Sequence, residues 1–160
     1  MKKDKDVTES CFNYIIANNY KEAFHSYIDN YYKHPDIIEL VYGVITSSIL
    51  IDKITECISF LEKEISLSPL SNKIALVLNF IKLNSNFKNM SRISIILNIG
   101  LFLRKKRLLQ DAKFFFRVCQ TIEPDNRKIL TVLGECAILE RDIEKGIKLF
   151  SYAAKGVDAT

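Results

Sequence analysis

Ile96-Leu97-Asn98-Ile99-Gly100-Leu101-Phe102-Leu103, with Ala112 and Phe116 after it, returns 34 residues later as Leu130-Thr131-Val132-Leu133-Gly134-Glu135-Cys136-Ala137, with Gly146 and Phe150 after it. Gly100 and Gly134, Ala112 and Gly146, Phe116 and Phe150, and Cys119 and Ala153 all keep that offset of 34. Agreement at four landmark pairs marks an internal repeat, and a repeat of this length means stacked supersecondary units. Such arrays present their function on a surface shared between neighbouring units.

An earlier pair of units carries the same landmarks in weaker form. Tyr14, Tyr20, Ala23, Tyr27 and Pro35 make one unit; Val41, Val44-Ile45, Ile54, Cys57, Leu61 and Pro69 make the next, and the two prolines are again 34 apart. The second unit has neither a Leu-Gly pair nor a first-helix aromatic. Units are thus expected at 4–37, 38–71, 93–126 and 127–160, with the intervening stretch 72–92 forming one helix and a loop.

A large residue, Leu-Gly two positions on, an aromatic, Ala-x3-Phe and a final proline is the tetratricopeptide-repeat pattern. The chain resembles that family over nearly its whole length, most closely in the last two units. The resemblance implies an all-α fold: a superhelical array of antiparallel helix hairpins, about nine helices in a single domain. Each landmark has a physical reason. The glycine lets neighbouring helices approach closely. The small residue (Ala23, Cys57, Ala112 or Gly146) sits where helices cross. The aromatic four positions later lies on the same helical face. The proline ends the second helix, because it cannot continue one.

The resemblance also implies a binding surface. First helices line the concave face of such arrays, which selects Phe12 and Ile15, Tyr42 and Ile49, Leu101 and Arg104, and Glu135 and Ile138 as groove residues. This mixture, mostly apolar with few charges, suits an amphipathic helix or extended segment of a partner protein. The paired Lys and Asn with which some relatives grip a peptide carboxylate have no placeable counterpart. Small free-standing chains of this length are similar to the tetratricopeptide chaperones of bacterial type III secretion, virulence systems in which the chaperone holds an export substrate. The resemblance therefore implies a chaperone or adaptor. The alternatives are a scaffold or regulatory subunit that uses its outer surface, and a helical-repeat RNA binder that uses Arg92, Arg104 to Arg107 and Arg117.

Composition narrows the classes. With 160 residues, 48% hydrophobic, the chain can bury one sizeable core. Residues 1–80 hold eight basic and eleven acidic side chains, a net of −3; residues 81–160 hold fifteen and eight, a net of +7. The C-terminal half is expected to attract an acidic surface. Arg104-Lys105-Lys106-Arg107 is the densest basic run. It falls at the end of a first helix, where cations suit the macrodipole, and could serve as an anion-binding edge. It lacks interleaved aromatics, which disfavours nucleic acid.

The four cysteines form no CxxC pair; Cys57 and Cys119 fall where small buried groups are wanted and Cys11 aligns with the glycine of later units, so reduced thiols and a cytoplasmic location are expected. No secretory leader is read in the charged start, and Ile37 to Ile51, the most apolar stretch, is too short and too rich in hydroxyls to insert in a membrane. His25 and His34 have no nucleophile or carboxylate at catalytic spacing, Glu62 and Glu64 point to different faces, and no phosphate loop or metal motif occurs. No enzyme activity, metal or cofactor is expected. The last helix is expected to present Ile147, Phe150 and Ala154 as a surface for self-association or a partner.

Overall fold

A computed structural model describes residues 2–158, with side-chain environments for 4–155 apart from Ser85. Among the described residues the chain is all-α, with nine helices and no strand: α1 (Lys2–Ile16), α2 (Tyr20–Lys33), α3 (Ile38–Leu50), α4 (Ile54–Ile65), α5 (Ser71–Leu83), α6 (Arg92–Lys105), α7 (Leu109–Ile122), α8 (Arg127–Leu139) and α9 (Ile143–Asp158). Adjacent helices pack as antiparallel hairpins in series. A 3₁₀ turn, Ser85–Asn89, fills the polar break before α6. α3 is capped by Ile37, without a side-chain cap bond.

One backbone device recurs through the array. Asn18, Asp52, Arg107 and Arg141 all have left-handed φ, between 59 and 65°. The first two are 34 residues apart, and so are the last two. Each follows a first helix, and each turn closes with the same bonds. The N–H of Asp52 reaches the carbonyl of Ile49 and that of Lys53 reaches Ser48; the N–H of Arg141 reaches Ile138 and that of Asp142 reaches Ala137. This 6→1 and 5→2 pair is the Schellman closure, which satisfies the last carbonyls of a helix.

The landmark residues occupy crossings. Ala23, Cys57 and Ala112 are fully buried. A Cβ built on Gly100 would come within 2.5 Å of Phe116 Cε1, and one on Gly134 within 2.8 Å of Phe150 Cε1. The two aromatics thus lie in equivalent niches, each against the glycine of its own hairpin. In the N-terminal half the close approach is made elsewhere: Tyr27 of α2 lies against Gly43 of α3, 2.2 Å from a built Cβ.

α3 is the centre of the fold. Every residue from Leu40 to Leu50 is buried, and the helix packs against α1, α2, α4, α6 and α7. Its three consecutive hydroxyls are satisfied within the helix. Thr46 Oγ1 donates to the Tyr42 carbonyl at 3.1 Å, Ser47 Oγ to Gly43 at 2.6 Å, and Ser48 Oγ to Val44. Such back-bonding lets polar side chains sit in a dry core. Among the described residues no helix is long and apolar enough to cross a membrane. α5 bridges the two halves, where Phe80 stacks on Phe102 of α6 with centroids 4.2 Å apart; separately, Arg92 at the start of α6 pairs with Asp52 in the turn after α3.

Gly100→Ala is expected to lower stability by about 1–3 kcal/mol through overpacking against Phe116. A urea titration followed by circular dichroism measures it; an unchanged midpoint contradicts the niche.

Candidate functional site

The structure buries four of the eight expected groove residues, brings three together and sets one apart. Phe12, Ile15, Tyr42 and Ile49 are 2%, 0%, 1% and 2% exposed, so they form core rather than the wall of a shared groove; Ile49 alone reaches a small pocket of about 220 Å³, beside Phe87 and Met90. The reason lies in contacts between elements far apart in sequence. α1 packs on α3 and α7 as well as α2. Phe12 meets Phe114 of α7 edge-on at 6.3 Å, and Tyr42 meets Phe115 at 5.0 Å. The Tyr42 hydroxyl donates to Asp111 Oδ2 at 2.6 Å, and the same carboxylate accepts from Lys73 Nζ at 2.9 Å. Burial, together with that carboxylate, pushes the Tyr42 phenol far above its ordinary range.

Over this cluster lies Arg117. Its guanidinium sits 3.9 Å from the Phe12 ring centroid, and two of its nitrogens donate to Glu9 at 2.8 and 3.0 Å. The fork holds the Glu9 carboxyl below its usual value. Phe12, Ile15 and Tyr42 are therefore covered by the chain itself, and the pocket of about 840 Å³ that remains beside α1, α3 and α7 is lined mainly by polar groups, among them Glu9, Glu39, Lys113 and Arg117.

Leu101, Arg104 and Glu135 are brought together. They line an open trough of about 690 Å³ between α6 and α8, with Arg127, Lys128, Thr131 and Val132. Leu101 and Val132 form an apolar floor. Arg104 Nη1 donates to Glu135 Oε2 at 2.7 Å across it. Three cations and one carboxylate leave the lining at a net +2. The eighth residue, Ile138, lies outside this lining, at the C-terminal end of α8 beside Gly146.

The basic run divides in the same way. Arg104 is tied to Glu135, whereas Lys105, Lys106 and Arg107 are exposed and have no acidic partner among the described residues. Lys106 Nζ lies 5.8 Å from the Phe102 ring centroid. The other cations of a nucleic-acid reading, Arg92 and Arg117, are also held in ion pairs within the chain. The sequence reading missed Arg127 and Lys128, which open α8 from an Asn126 cap whose Oδ1 accepts from the Lys128 and Ile129 N–H groups. Their signal was present as the first turn of a first helix that follows a proline, at the rim of the trough.

Chemistry-bearing groups do not gather. Among the described residues no three His, Cys, Asp or Glu side chains could hold a metal ion. All four cysteines are free and buried. Burial pushes the Cys57 and Cys119 thiols up to about 12, and raises Cys11 and Cys136 as well. Thiols so raised are poor nucleophiles. Glu64 is the one buried carboxylate among the described residues. Its Oε1 accepts from the Tyr31 hydroxyl at 2.8 Å and its Oε2 has no partner. No family model matches the chain, and no curated protein matches it with significance.

Phe12→Ala is expected to cost about 3–5 kcal/mol of stability, read from denaturant unfolding. A variant of unchanged stability would mean that α1 does not carry the core.

Proposed function

We propose that the chain is a non-catalytic protein-binding module of tetratricopeptide type, which holds an acidic amphipathic segment of a partner along the trough between α6 and α8. The observation that carries this reading is the trough itself. It is an open, apolar-floored channel between two first helices, rimmed by Arg104, Arg127 and Lys128, in the half of the chain whose net charge is +7. Apolar anchors on the floor would supply most of the affinity, and the rim would select charge and speed encounter. A helix with apolar residues at i, i+3 and i+4 matches such a channel.

Within this reading the module serves as a chaperone or adaptor in the cytoplasm. A segment that seeks an apolar floor is one that aggregates when left free, and the unpaired, buried thiols suit a reducing compartment. The narrower role of holding an export substrate, as type III secretion chaperones do, rests on architecture and length. The partner footprint is smaller than the full concave face, because α1 and α3 close the N-terminal half.

The test is fluorescence anisotropy with a labelled helical peptide that has leucines at i, i+3 and i+4 and glutamates elsewhere, compared with the same peptide carrying lysines. The acidic peptide is expected to bind and the basic one to fail. Arg127→Glu with Lys128→Glu, both at exposed positions, is expected to weaken binding at least about tenfold. Equal binding of the two peptides, or indifference to the double variant, would overturn the assignment.

A further inference from the structure

Eleven large apolar side chains are exposed among the described residues, and six of them lie between Ile138 and Tyr152. They are concentrated rather than scattered, which singles out this end of the molecule. Ile143, Ile147, Phe150 and Ala154 recur at i, i+4, i+7 and i+11, on one face of α9. Ile143 is 51% exposed, Ile147 59% and Phe150 36%. Ile138 and Leu139 extend the face onto α8 at 37% and 64%. Phe116, the counterpart of Phe150 in the preceding hairpin, is 0% exposed.

The contacts between the last two hairpins indicate what covers this face. The α6/α7 hairpin grips the α8/α9 hairpin through two ion pairs: Arg104 with Glu135 at 2.7 Å, and Lys113 with Glu140 at 3.0 Å. Advanced by 34 residues, Arg104 becomes Ile138 and Lys113 becomes Ile147. The two cationic grips are replaced by isoleucines at the outward-facing positions. A further hairpin of the same kind would bring glutamates against them and leave those carboxylates without partners. The matching surface is apolar.

The charges beside the stripe agree with self-pairing. Glu144, Lys148 and Lys155 follow one flank of α9, acidic at its start and basic toward its end. In an antiparallel pair of α9 helices the same flanks face each other, so Glu144 of one copy falls beside Lys155 of its mate. We propose that the α8/α9 end is an isologous homodimer interface, in which a second copy of this chain packs its α9 antiparallel on the first about a two-fold axis near Phe150. The interface lies apart from the trough and does not rest on its occupancy.

Sedimentation velocity from micromolar to millimolar chain concentration tests this. The chain is expected to pass from monomer to dimer, and Ile147→Lys to weaken dimerisation at least tenfold with helical content unchanged. Independently, Ser151→Cys is exposed and near the axis, and the native thiols are buried, so a short bis-maleimide is expected to cross-link that variant as a dimer. A monomer throughout the range overturns the proposal. So does a dimer indifferent to Ile147→Lys, or a Ser151→Cys chain that does not cross-link. Binding of the acidic peptide by Ile147→Lys reports the trough separately, so that either surface can fail alone.

Discussion

The ring of Phe114 is the contact on which the architecture turns. Phe12 of α1, Tyr27 of α2 and Tyr42 of α3 all reach it, and Phe115 lies beside it, with centroids 5.6 to 6.4 Å away. Edge-to-face and tilted pairs at these separations add to the burial of large rings. One side chain of the third unit therefore fastens the first helices of the first two. Arg117 closes the cluster from the solvent side, with its fork on Glu9 and its plane near Phe12. A simple stack of hairpins would leave α1 and α7 apart. Here they meet, and the rings between them are buried.

That closure divides the molecule by chemistry. The N-terminal half is a dry core around α3, whose polar atoms are satisfied inside the helix. The C-terminal half keeps its hairpins apart at the trough and joins them there through exposed ion pairs, which contribute little stability and tolerate water. The positive charge of the chain is concentrated in this open half. Between α6 and α8 a partner meets apolar floor and cationic rim together. Binding is thus placed where the array remains an array, and stability where it has become a bundle.

Much of this was legible in the residues. The 34-residue offset carried the hairpins, the crossings at Ala23, Cys57 and Ala112, and the matching niches of Phe116 and Phe150. Only three of the eight groove residues meet in the trough, because helical spacing reports an angle around one helix and not which distant helix lies opposite. The contact of Glu9 with Arg117 spans 108 residues, and no local pattern encodes it. Two signals could have found the closure. Phe114, Phe115 and Phe116 are consecutive, so at about 100° per residue they cover most of the circumference of a helix, which demands burial on nearly every side. Leu40 to Leu50 has no charge on any face, which marks a helix enclosed by others. Gly43 was passed over because it stands two positions before the repeat's glycine, where it serves Tyr27 of the preceding helix. The left-handed turns carry Asn, Asp and Arg rather than glycine, so their recurrence is visible only in the backbone.

The division into a closed half and an open half is tested most directly by hydrogen–deuterium exchange, with and without a bound acidic amphipathic peptide. Added protection confined to α6 and α8, with α1 and α3 already slow and unchanged, is the result this account predicts. Protection that appears in α1 to α3 on binding would mean that the N-terminal groove opens to receive the partner, and would contradict it.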